Sequence, residues 1–193
     1  MCGIAGFFIN GDYSNKREII KKMNDMLSHR GPDGEGFYSD DYVLLSHKRL
    51  SIIDLNSRSN QPFTDENKQC VITFNGEIYN YIELRKILLE DGFKFKTTSD
   101  TEVLIYSYIK WGTNLLKKIK GMFAFAIYDK KNKKIFCARD HFGQKPFFYY
   151  CKNGDFVFSS ELTSLISNPA IKKEVCMQSI FNYLHYDSFI ADT

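Results

Sequence analysis

The sequence predicts an α+β domain of antiparallel sheets covered by helices. Two observations carry that expectation. The stretches "MFAFAIYDKKNKKIFCARD" and "PFFYYCKNGDFVFSS" each read as strand, polar turn, strand. Hairpins join antiparallel strands, because a parallel pair needs a longer crossover. Helical spacing is meanwhile confined to segments before and after these hairpins. Aromatic residues at 16%, with 17 Phe and 12 Tyr, fit many sheet positions around a dense core.

The elements follow in order. "GIAGFFI" reads as a buried strand, and "NKREIIKKMNDMLSH" carries Ile19, Ile20, Met23, Met26 and Leu27 at helical spacing. "RGPDGEG" ends that helix with Gly and Pro. "YVLLSHKRLSIID" is a strand running into a turn. "CVITFNGEIYN" reads as strand, break, strand, because Asn75-Gly76 favours a tight turn. "YIELRKILLEDG" is an amphipathic helix closed by Gly92. "TTSDTEVLIYSYIKWG" holds the next helix, capped by Ser99 or Asp100 and followed by Gly112. After the hairpins, "ELTSLI" and "MQSIFNYLHY" are short helices, and "FIADT" leaves an unpaired apolar end.

Composition narrows the function classes. The 193 residues suffice for one domain with a sizeable core. No linker or repeat divides them. A net charge of +3 without a long basic stripe argues against nucleic acid. No apolar run has the length of a membrane span or the form of a signal peptide. The five cysteines are odd in number and lack metal-ligand spacing, which favours a reducing cytoplasm and no bound metal. Cys70 and Cys137 fall in strand-like runs and read as small core residues.

Cys2 asks for more. Removal of Met1 would make it the N-terminus, with a thiol and a free α-amine on one residue. That amine has an ordinary pKa of about 7.7–8.0, against about 8.5 for a thiol. It can take the thiol proton, so an N-terminal nucleophile brings its own base. Thiol attack on a carboxamide creates an oxyanion that needs preorganised donors. "FNGE" offers the Asn75 amide and the Gly76 N–H, although in isolation that pair reads as a plain turn. Arg49, where a strand meets a turn, suits a carboxylate, which its planar fork binds bidentately. Glu77 and Asp100 suit an ammonium; their bland alternatives are a solvated charge and a helix cap.

Taken together, "MCGIAGFF", "HRGPDGEG", "HKRLSIIDL", "QPF", "FNGEIYNY", "SDTEVLI", "GMFAFAIYD", "ARDHFGQKPFFYY" and "FSSEL" resemble, in order, the glutaminase domain of asparagine synthetases. That domain lies within the class II glutamine amidotransferases, which are N-terminal nucleophile hydrolases. The resemblance runs from Met1 to about Leu162. It implies a four-layer α-β-β-α sandwich of two antiparallel sheets. It implies that Cys2 attacks the side-chain amide of glutamine and forms a thioester, with Asn75 and Gly76 as oxyanion hole. It implies glutamine binding by Arg49, by the Ile52–Ile53 backbone, and by Glu77 and Asp100 at the α-ammonium.

The resemblance also implies partners. Ammonia would pass to a C-terminal synthetase domain or subunit that uses ATP and Mg²⁺, and the glutaminase part needs no cofactor of its own. On this reading residues 1–193 are the glutaminase half alone, cytoplasmic, with a homodimer compatible. Two alternatives stand beside it. One is a related amidotransferase whose acceptor is a sugar carboxylate rather than aspartate. The other is a non-catalytic domain that keeps the fold.

Overall fold

The computed structural model describes residues 1–8 and 15–187. Ile9, which closes the first predicted strand, and the "FIADT" tail lie outside them. The chain runs β1 (Gly3–Phe8), α1 (Lys16–Asp25), β2 (Gly34–Ser39), β3 (Val43–Arg49), β4 (Phe63–Thr64) and β5 (Cys70–Ile78). It continues through α2 (Tyr81–Glu90), α3 (Asp100–Trp111), β6 (Gly121–Asp129), β7 (Lys134–Arg139), β8 (Phe148–Lys152) and β9 (Asp155–Ser159). Two short helices follow, α4 (Leu162–Leu165) and α5 (Met177–Tyr186).

The strands form a five-stranded sheet, β2-β3-β1-β9-β8, and a four-stranded sheet, β4-β5-β6-β7. All their pairings are antiparallel. Side chains on a strand alternate between faces, and that alternation builds three apolar layers. Ile4, Leu45, Val71, Ala124, Ala126 and Phe158 meet between the two sheets. Ala5, Phe7, Leu44 and Val157 point the other way, onto Ile20, Met23 and Leu27 beside α1 and Leu165 of α4. Ile72, Phe74, Phe123, Phe125 and Ile127 cover the outer face of the second sheet, against α2 and α3. Helix, sheet, sheet, helix is the four-layer order expected. Each large side chain so buried contributes about 1.5–3 kcal/mol.

Local signals behave as their chemistry requires. Ser99 is the cap of α3: its hydroxyl accepts the Thr101 N–H at 3.0 Å. That leaves the Asp100 carboxylate for another partner. Asn153 and Gly154 both adopt positive φ, 54° and 85°, as the two-residue turn between β8 and β9 demands. Cys70 and Cys137 are core thiols, and burial pushes both up to about 12.

One expectation needs correction, and two strands went unread. Asn75-Gly76 is no turn, because β5 runs unbroken from Cys70 to Ile78 and pairs with β6 along its whole length. Gly76 is there for close approach: a Cβ on it would sit 2.2 Å from the Met122 carbonyl oxygen. β2 was hidden by its own glycines, which read as breakers. It is an edge strand with alternating exposure. β4, at two residues, is too short to leave a periodic trace.

Candidate active site

The place of Cys2 follows from sheet order. β1 is the middle strand of its sheet, bonded to β3 on one side and β9 on the other. The register Gly3↔Lys48 brings the start of β1 beside the end of β3, so Cys2 and Arg49 share one end of the sheet. β5 of the facing sheet carries Asn75, Gly76 and Glu77, and α3 begins at Asp100. Cys2, Arg49, Ile52, Ile53, Asn75, Gly76, Glu77 and Asp100 all line a single cavity.

The Cys2 thiol is held by the Leu50 peptide. The Leu50 N–H donates to Sγ at 3.3 Å, and Sγ–H reaches the Leu50 carbonyl at 3.5 Å. Burial pushes the thiol pKa up; the Leu50 hydrogen bond, the N-terminal amine and Arg49 pull the other way. A thiol in that state needs a base to become a nucleophile.

The candidate oxyanion donors lie on β5 and its free edge. The Phe74 and Ile78 N–H groups both point away from β6, to the Gln61 Oε1 at 2.6 Å and the Asp100 Oδ2 at 3.1 Å. By the two-residue period of a strand, the Gly76 N–H lies between them on the same edge. Gly76 lines the cavity there. Asn75 Nδ2 is buried and has no hydrogen-bond partner among the described residues. A buried orphan donor costs about 1–3 kcal/mol, and this one belongs to a residue of the same cavity that Cys2 lines.

The charged residues sort by surroundings. Arg49 donates to the carbonyls of Asn56 and Asp54 and to the Asn60 side-chain oxygen, all on the loop that follows β3. That loop is tied down in turn, since the Asp54 carboxylate accepts the Thr98 N–H and hydroxyl at 2.8 and 3.0 Å. These hydrogen bonds hold Asp54 below the usual carboxylate range, against its desolvation. Ile52 stands exposed on this loop at the cavity mouth. Burial raises the Asp100 pKa to about 6; the Ile78 N–H opposes the shift and the Glu77 charge adds to it.

Residues 1–193 match the family model of the glutamine amidotransferase domain. The chain belongs to that family. The domain is 42% identical over 184 residues to asparagine synthetase [glutamine-hydrolyzing] 1 of Bacillus subtilis, with 92% of this chain and 29% of the relative covered. It is 40% identical over 177 residues to asparagine synthetase [glutamine-hydrolyzing] 3 of the same organism, covering 91% of this chain and 29% of the relative. It is 38% identical to asparagine synthetase B [glutamine-hydrolyzing] of Escherichia coli, covering all of this chain and 36% of that one. The amidotransferase domain thus spans about a third of the length of these relatives. The glutamine phosphoribosylpyrophosphate amidotransferase of B. subtilis shares its fold, with a TM-score of 0.71 at 21% identity over 86% of this chain and 43% of that one.

The amidotransferase domain also uses residues that sequence reading passed over. The Arg30 Nε donates to the Cys2 carbonyl at 3.1 Å, and its Nη1 pairs with Glu161 at 3.0 Å. Glu161 also receives His29 at 2.8 Å. This chain of contacts fixes the peptide that carries the thiol. Both ends lie in stretches quoted above, "HRGPDGEG" and "FSSEL", yet only the fold makes them meet.

Proposed function

We propose that this domain hydrolyses the side-chain amide of glutamine to glutamate and ammonia, through a thioester on Cys2. With Met1 removed, the α-amine of Cys2 takes the Sγ proton, and the sulfur adds to the amide carbon. Negative charge gathers on the former carbonyl oxygen, where the Asn75 amide and the Gly76 N–H donate to it. The ammonium returns its proton to the departing nitrogen, which leaves as ammonia. Water then attacks the thioester, and glutamate departs with Sγ restored. Arg49 holds the α-carboxylate beside the Ile52–Ile53 backbone, and Glu77 and Asp100 hold the α-ammonium.

The orphaned Asn75 amide, in one cavity with the thiol, supports this reading most directly. The test is intact mass after exposure to a diazo-ketone analogue of glutamine, with ammonia release measured in parallel. A Met-free chain gaining one adduct on Cys2, with ammonia formed from glutamine, is the expected result. An unmodified chain that releases no ammonia overturns it.

We further propose that the ammonia passes to a synthetase part of the same protein, as the names and lengths of the relatives suggest, and that aspartate is its acceptor. ATP and Mg²⁺ belong to that part. Among the described residues no cluster of His, Cys, Asp and Glu could hold a metal, and none of the steps above runs through one.

Asp100 gives this reading a pH signature. Only its ionised form attracts an ammonium, and burial sets its pKa near 6. Below that value glutamine must compete with a proton. The glutamine Kd, measured by calorimetry on a Cys2→Ala variant, should therefore rise about tenfold per unit as pH falls below about 6. Folding stability carries the opposite trend from this group. The carboxyl is raised above its unfolded pKa of about 3.9, so its stabilisation is complete below that and is lost as pH rises through about 6. A Kd flat between pH 5 and pH 7 would remove Asp100 from the ammonium site.

A further inference from the structure

We propose that Gln61 and His47 are positioning residues for the oxyanion hole: together they hold the Phe74 peptide on the free edge of β5, in the place a neighbouring strand would take. The inference rests on the glutaminase reading and concerns how its donors are aimed.

β4 pairs with β5 only at Phe63↔Ile72 and Thr64↔Val71. Past Ile72 the inner-site end of β5 has no strand on that edge. A strand edge buried without partners is unfavourable, at about 1–3 kcal/mol for each polar group left unpaired. Were β4 four residue pairs longer, it would satisfy that edge and also cover the Gly76 N–H. Side chains solve the conflict. Gln61 lies just before β4 and places its Oε1 2.6 Å from the Phe74 N–H. Its Nε2 donates to the Thr101 hydroxyl at 3.2 Å, which anchors the amide to the first turn of α3. His47 comes from β3 of the facing sheet, and its Nε2 lies 3.2 Å from the Phe74 carbonyl oxygen.

A carbonyl only accepts, so Nε2 carries the ring proton and Nδ1 is bare. Burial pushes His47 down to about 3, so the ring is neutral and keeps this one orientation at any working pH. Both side chains are buried and both line the cavity. The N–H and C=O of Phe74 are thereby held from two separate elements. Two residues on from Gly76, at Ile78, the same edge is closed again, because that N–H is taken by Asp100. Gly76 lies between these two holds, free to donate into the cavity. Donors that act only on the transition state lose most from a small misalignment.

The test compares Gln61→Met, which keeps length but cannot accept, with Gln61→Glu, which still accepts from Phe74. His47→Phe, which removes the donor to the Phe74 carbonyl, is measured beside them. Ammonia release gives kcat and KM. Two inhibitors separate alignment from binding: glutamate, and the γ-aldehyde analogue of glutamine, which the thiol converts to a tetrahedral adduct bearing the oxyanion. Gln61→Met should lower kcat about 10–100-fold, less than outright removal of a donor, with KM within about threefold. Aldehyde affinity should fall by the same factor and glutamate affinity should stay put, while Gln61→Glu recovers most of the loss. His47→Phe should show the same split, and carries the comparison if Gln61→Met does not fold. Unchanged kcat in the folded variants, or equal losses for glutamate and aldehyde, would overturn the positioning role. A wild-type chain that releases no ammonia would instead overturn the glutaminase reading itself.

Discussion

Cys2→Ala should leave no measurable release of ammonia from glutamine, while the domain keeps its fold. No other cysteine lines the cavity. Cys70 is buried on the outer face of the second sheet, and Cys137 sits in the layer between the sheets, both away from the cavity lining. Burial has pushed both to about 12, so neither supplies thiolate near neutral pH. The structural loss is small by comparison. Only the two contacts with the Leu50 peptide disappear, a change of about 1 kcal/mol. Thermal unfolding should move by roughly 2–4 °C for a domain of this size. Residual ammonia release above the background reaction would show that the sulfur is not the attacking atom.

Asn75→Ala should lower kcat about 10²–10³-fold, with KM little changed, because one oxyanion donor is lost only in the transition state. Its effect on stability should be unlike that of other buried polar residues. Cutting a satisfied hydrogen bond strands the partner, but Asn75 Nδ2 has no partner to strand. Truncation removes a desolvated orphan, so unfolding should shift by less than about 1 kcal/mol in either direction. Ammonia-release kinetics and a denaturant melt together decide it. A full-rate variant removes Asn75 from the site. A variant that loses stability in proportion to activity makes it an ordinary core residue.

Much of the site was legible because its members differ in chemistry. A thiol behind the initiator, a lone arginine where a strand ends, and two carboxylates near turns each suggested a ligand group. All eight named residues meet in one cavity. What escaped was anything that works through the backbone. Arg30 grips the Cys2 carbonyl, while Gln61 and His47 grip the Phe74 peptide. Such contacts leave no spacing to read, since the partner is a peptide group that every residue possesses. The misreading of Asn75-Gly76 has the same origin. The pair favours turns in isolation, but the β6 backbone crosses so near Gly76 that only a missing side chain fits, and nine consecutive pairings with β6 outweigh a local preference.

The middle position of β1 has a practical side. Most chain beginnings hang at a surface, where a few extra residues go unnoticed. Here β1 is flanked by β3 and β9, and the half-exposed Met1 lines the rim of the cavity, with the Lys145 ammonium 3.4 Å from its sulfur. An affinity handle or reporter joined ahead of Met1 would lie against the rim of that cavity. It would also keep the Cys2 nitrogen in an amide, so tags belong elsewhere on the molecule.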